Sequence, residues 1–199
     1  MIAVITGDII NSQSASAASW TLALKAALNN YGKAPKTWEI YRGDSFQLET
    51  EPGKALHAAL YLKAVIKQFK NLDIRLAIGL GEKEHSAAHI TESNGKAFVH
   101  SGQCFEELRK KSLGFRSGNE EVDEEINLYF QLAMLTIDRW PTTACKVMQL
   151  ALENPELTQT ELAKKMKKSQ STISESLKRL GYDEMMLLKE RFEKLTEKL

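Results

Sequence analysis

Lys36-Thr-Trp-Glu-Ile-Tyr-Arg-Gly-Asp-Ser-Phe-Gln-Leu-Glu49 is the stretch whose reading decides the fold. Set across one another, Trp38 faces Leu48 and Ile40 faces Phe46, which leaves Arg42-Gly43-Asp44 as a three-residue loop. Such loops need a residue with positive φ, and Gly43 supplies it without steric cost. Alternation with Glu39 and Gln47 gives one buried face and one wetter face. The stretch is therefore a β-hairpin that carries Asp44 at the mouth of a sheet.

Working outward, Ile2-Ala3-Val4-Ile5 is a continuous apolar run, as in a central strand covered on both faces. It is expected to end at Thr6-Gly7-Asp8, so Asp8 joins Asp44 at one mouth. Two carboxylates there repel unless a proton or a divalent cation lies between them. The plainer alternative is that each acid caps a turn or a helix. A helix follows from Ser12 or Ser14 to about Asn30, with Gly32 at its C′ position. A second runs from Pro52-Gly53 to about Lys70, then a strand from Leu72 to Ile78. The order β-α-β-β-α-β predicts an α+β, ferredoxin-like sheet with both helices on one side.

Residues 79–95 read as a long loop. Gly95–Lys111 is then a short helix, Leu113–Arg116 an edge strand, and Glu120–Trp140 a helix with an acidic start. Pro141 is taken as the boundary between a domain at 1–141 and an all-α domain at 142–199. In the second, Thr158 and Glu161 form a capping box, Lys167-Lys168 make a tight turn, and Ser169 caps a helix closed by Gly181. This spacing predicts a helix-turn-helix. Lys167, Lys168, Ser169, Gln170, Ser171, Thr172, Lys178 and Arg179 are its candidate DNA-binding residues. Six basic residues against two acids across 157–180 suit contacts to phosphates of duplex DNA. A small helical interaction domain is the alternative. Met185, Leu188, Phe192, Leu195 and Leu199 form a heptad-like seam, either folded back on the module or making the contact of an expected homodimer, for which the sheet or helix face of the 1–141 domain is the alternative interface.

Formal charge is only +1 over 199 residues, so no global field selects a partner. Apolar runs fall short of the ~20 residues that span a bilayer. No basic segment precedes an apolar one, and Cys104 and Cys145 form no paired motif. A cytoplasmic protein without membrane association is expected.

The blocks Ile5-Thr-Gly-Asp8-Ile-Ile-Asn-Ser12, Tyr41-Arg-Gly-Asp44-Ser-Phe-Gln47, Arg75-Leu-Ala-Ile-Gly-Leu-Gly81, Ser93-Asn-Gly-Lys-Ala-Phe98 and Ser169-Gln-Ser-Thr-Ile-Ser174 carry a resemblance. Through them the chain resembles the SatD family over nearly its whole length. The N-terminal blocks are also distantly similar to class III nucleotidyl cyclases. That similarity implies that Asp8, Asp44 and the Ile9 carbonyl hold Mg2+ or Mn2+. It implies further that Ile10, Asn11, Ser12 and Gln13 form a triphosphate-binding turn. The positions matching the cyclase Asn and Arg are Val99 and Gln103, which cannot neutralise developing phosphoryl charge as a guanidinium does. Arg42 and Lys96 are the cations expected to stand in. The combined expectation is a DNA-binding regulator with a cyclase-like, nucleotide- and metal-sensing domain. The alternative is a metal-dependent nucleotidyl cyclase or nucleotidyltransferase.

Overall fold

The first strand, β1 (Ile2–Ile10), is longer than its apolar run. In the computed structural model, which describes residues 1–14 and 16–199, both its neighbours pair along it. β3 (Ser45–Thr50) reaches Asp8 opposite Ser45, and β4 (Asp73–Gly81) reaches Ile10 opposite Asp73. Asp8 is therefore inside the strand and not at its end, because flanking ladders carry the backbone past the last apolar residue. The hairpin of β2 (Trp38–Tyr41) and β3 has the expected register, Trp38 opposite Leu48 and Ile40 opposite Phe46. Its loop takes two left-handed residues, Arg42 at φ 54° and Gly43 at φ 88°.

The sheet order is β2-β3-β1-β4-β5. Every pair is antiparallel except β4 with the short edge strand β5 (Leu113–Arg116), which is parallel. Residues facing one way along the strands, Ala3, Ile5, Phe46, Leu48, Ile74 and Leu76, share a core with α1 (Ala17–Leu28) and α2 (Ala55–Ile66). The first helix starts later than expected, since Ser12–Ser14 turn as a 3-10 segment and Ser16 occupies the N-cap position. It also ends earlier, at Leu28 with Asn29 as C-cap, so Gly32 is not its C′ residue. The second helix buries far more than the one stripe its sequence shows. All its residues but His57 are buried, because it is wedged between the sheet and α5 (Thr142–Glu153).

The other face carries α3 (Lys96–Glu107). Val4, Ala97, Phe98 and Ile90 make one small cluster there, and Ala77, Cys104 and Leu108 another. At Gly79 an added Cβ would lie 2.2 Å from the Ser101 nitrogen, so only glycine lets this helix lie so close. The 79–95 segment is pinned, with Ile90 fully buried, His85 bridged to Asn94, and Glu39 accepting from His89 and Thr91.

α4 (Glu120–Ile137) packs on β5, and the helical remainder follows as α5, α6 (Gln159–Met166), α7 (Gln170–Leu180) and α8 (Tyr182–Thr196). The core does not part at Pro141: one apolar cluster runs from Ile5 through Phe130 and Val147 to Ile173 and Phe192. Polar bonds also tie the two parts together. Tyr61 donates to Glu153 (2.6 Å), Gln68 to Gln149 (2.9 Å), Trp140 to the Leu180 carbonyl (2.8 Å), and His57 Nε2 meets the Leu152 carbonyl (3.2 Å). The seam on α8 turns inward. Met185, Phe192 and Leu195 are buried, and the Phe192 ring packs on Phe115 (5.5 Å) and Phe130 (6.1 Å). Those three side chains are used within the chain, as in the folded-back alternative, while Leu188 is half-buried and Leu199 exposed.

Candidate nucleic-acid interface and ligand cleft

The helix-turn-helix is built from its caps. Thr158 accepts from the Glu161 N–H while Glu161 accepts from the Thr158 N–H at 2.8 Å, so two backbone donors at the start of α6 are satisfied reciprocally. Lys167 then takes the left-handed conformation, φ 52° and ψ 44°, and Lys168 N–H returns to the Ala163 carbonyl at 3.0 Å. Ser169 restarts the chain by accepting from the Thr172 N–H, and Gly181 closes α7 at φ 63°. Ile173, Leu177 and Leu180 seat that helix, so its opposite side faces solvent. Lys167, Lys168, Ser169, Gln170, Ser171, Thr172, Lys178 and Arg179 are all exposed. Five are lightly held: Gln170 donates to Gln159 at 3.0 Å, Arg179 lies 3.8 Å from Glu175, and the Ser169 hydroxyl lies 2.9 Å from that of Ser171 and 2.8 Å from that of Thr172. Exposed pairs of this kind contribute little and exchange readily for nucleic-acid contacts.

The second feature is a cleft of about 890 Å³ at the α3 end of the sheet, lined by Asp8, Asp44, the 9–14 turn, Arg75, Arg109 and Lys110. Strand alternation points Asp8 and Arg75 to the same face, where the pairing sets them side by side. Arg75 Nε donates to Asp8 Oδ1 at 2.9 Å and Nη2 donates to Oδ2. Its guanidinium stands 5.1 Å from the Phe105 ring. This bidentate pairing holds the Arg75 pKa above its ordinary value. Asp44 accepts from Ser12 Oγ at 2.8 Å, and its carbonyl accepts from the Ile9 N–H at 3.2 Å.

The two acids thus meet at one mouth, but as partnered groups. Arg75 offsets the Asp8 charge, so part of the repulsion between the two acids is relieved within the chain. Each Asp8 oxygen accepts one bond from Arg75, so a cation held there would share the carboxylate with the guanidinium. Among the described residues no group of three or more His, Cys, Asp or Glu could hold a metal ion.

Ile9, Ile10, Asn11, Ser12 and Gln13 line the cleft. Arg42 is at the hairpin tip and does not line it. Lys96 lies beside Gly81, at the far end of the strands, because Gly81 pairs with Ile2 and not with Asp8. Six residues of strand separate those ends, roughly 20 Å. Val99 is half exposed, and Gln103 accepts from Arg116 in a separate groove between α3 and α4. Neither Val99 nor Gln103 lines the cleft with the acid pair. The cations that do border it, Arg75, Arg109 and Lys110, are not the ones the sequence singles out. Arg75 was open to discovery as a charge on the wetter side of an alternating strand. Nothing in sequence foreshadows Arg109 and Lys110, which the end of α3 carries in.

Residues 142–181 match the model of a winged helix-turn-helix DNA-binding family. The chain therefore carries a helix-turn-helix DNA-binding domain. Among the described residues no strand follows α7; where a wing hairpin would come, α8 begins directly after Gly181. No curated protein and no solved structure matches the chain. Neither the SatD resemblance, drawn over nearly the whole length, nor the cyclase similarity of the N-terminal blocks has a counterpart in these matches. Among the described residues no helix is long and apolar enough to cross a membrane.

Proposed function

We propose that this protein is a cytoplasmic transcriptional regulator that binds duplex DNA through α6 and α7 and responds to a ligand in the Asp8–Asp44 cleft. The matched helix-turn-helix, with its hydrogen-bonding face exposed, is the observation that carries the reading. The strand order β2-β3-β1-β4, with α1 and α2 on one face, supports a ferredoxin-like and cyclase-related sensing domain. Three cations against two carboxylates in the cleft suit a polyanion, and a nucleoside triphosphate with Mg2+ or Mn2+ is the ligand proposed. Its phosphate oxygens would give Arg75 a second partner. The carboxylates of Asp8 and Asp44, with the Ile9 carbonyl, would then be free to hold the cation.

Coupling runs from α2, which lies under the sheet and binds the last turn of α5, to α7, which packs on α5. A ligand favouring one arrangement of this joint changes DNA affinity by its differential binding. The test is fluorescence anisotropy of the full chain on duplexes selected from a random pool, with and without nucleoside triphosphate plus magnesium. Salt-dependent binding that changes at least ~5-fold with ligand is expected. Absence of duplex binding at low salt would sink the regulator reading.

A further inference from the structure

The outer face of α4 is apolar where a solvent-facing helix is ordinarily polar. Leu128, Leu132 and Leu135 are 55%, 58% and 64% exposed, while Ile126, Phe130, Ala133 and Ile137 fill the core from the other side. The three leucines follow at intervals of four and three, so they form a single stripe. Scattered exposed leucines need no explanation, but a stripe flanked by unpaired charge does.

The charge has a direction. At the stripe's N-terminal end stands Glu124, with Glu120 and Glu121 one turn earlier; at its C-terminal end stands Arg139, with Lys110 and Lys111 on the same groove and one acid, Asp138, which accepts from Ser112 Oγ. Among the described residues neither Glu124 nor Arg139 is in an ion pair, whereas neighbouring Glu125 is taken by Arg191. Both are exposed.

We infer that α4 is the interface of a two-fold homodimer, packed antiparallel on α4 of a second copy. Place the axis between Gln131 and Leu132. Leu128 then meets Leu135 of the other copy, Leu132 meets Gln131, and Glu124 meets Arg139. Each pairing occurs twice, as an isologous interface requires. Parallel packing would set acid on acid at one end. The pattern is thus self-complementary in one orientation only, and that singles out a second copy over an unrelated partner. This interface does not depend on the ligand proposed for the cleft. A patch confined to one helix face is small against the roughly 800 Å² per partner of a standard interface, so micromolar association is expected.

Sedimentation velocity on the full chain, from about 1 µM to about 200 µM, tests this. Wild type should move from the 22.4 kDa of one chain to twice that mass. Leu132→Glu should stay monomeric without a lower melting temperature, since the position is exposed. Glu124→Arg alone and Arg139→Glu alone should each weaken association at least ~10-fold, and the double exchange should recover most of the loss. Wild type that stays monomeric at the highest concentration overturns the proposal. So does a dimer indifferent to Leu132→Glu, or a double exchange no better than either single one.

Discussion

Arg75 holds Asp8 through two parallel hydrogen bonds, one of them 2.9 Å, across the β1–β4 ladder. A strand pairing therefore gives Asp8 a cationic partner within the chain. Wild type should gain little from magnesium or manganese alone. With a nucleoside triphosphate as well, a ligand at ~100 times its dissociation constant adds about 2.7 kcal/mol, or several degrees in melting temperature. Arg75→Ala leaves Asp8 unpartnered near Asp44. That variant should melt lower without ligand and respond to the divalent cation by itself. Differential scanning fluorimetry reads both, and a nucleotide response that survives Asp44→Asn would remove the acid pair from the site.

Lys167 and Lys168 sit at the tight turn, exposed and without carboxylate partners among the described residues. Changing both to Ala should weaken binding to every duplex and lower the salt slope by about 1–2 units. Gln170→Ala and Arg179→Ala should instead relax base preference, at about 1–3 kcal/mol for each base whose edge is no longer read. Titrations at several salt concentrations on matched and scrambled duplexes separate the two effects.

Lys63 is a buried ammonium with three partners: Asp73 Oδ1 (3.0 Å), the Ile74 carbonyl (3.1 Å) and Ser112 Oγ (2.9 Å). Burial raises the Asp73 pKa, but Lys63 and Lys67 outweigh it and hold the carboxyl below its ordinary value. A carboxyl depressed on folding stabilises the fold above its unfolded pKa of ~3.9, and that contribution is lost as pH falls through the lower folded value. Lys63→Met strips the principal partner and should cost about 3–5 kcal/mol in urea denaturation at neutral pH. Its acid-induced loss of stability below pH ~4 should be shallower than in wild type.

His57 bridges the joint between the two parts, with Nδ1 2.9 Å from the Tyr31 hydroxyl and Nε2 3.2 Å from the Leu152 carbonyl. Burial lowers its pKa below 6.5. Protons bind more readily to the unfolded chain, so this group's contribution is present above pH ~6.5 and fades as pH falls through the lower folded value. Exposed His89, raised by Glu39, titrates with the opposite sign. The expected result is therefore a difference: wild type loses more melting temperature than His57→Phe between pH 7 and pH 5. Equal slopes would mean that His57 is not a proton-sensitive part of the joint.

Local chemistry was enough for the parts whose signals are short in range. Trp38, Ile40, Phe46 and Leu48 predict their own register, because a tight loop and a two-residue period leave one alignment with all four on one face. Thr158, Glu161, Ser169 and Gly181 likewise predict the ends of α6 and α7, since capping bonds span only a few residues. What the chain does with a face once formed depends on partners distant in sequence. The α8 seam reads equally well as a dimer contact or a core contact until Phe115 and Phe130 are found beside Phe192. Arg75 becomes the partner of Asp8 only through the pairing of strands 67 residues apart, and Lys96 is carried to the opposite end by the same antiparallel register. Periodicity says which side chains share a face. Only the ladder and the packing of α3 say what stands opposite them, and this is why the acids were legible in sequence and the cations around them were not.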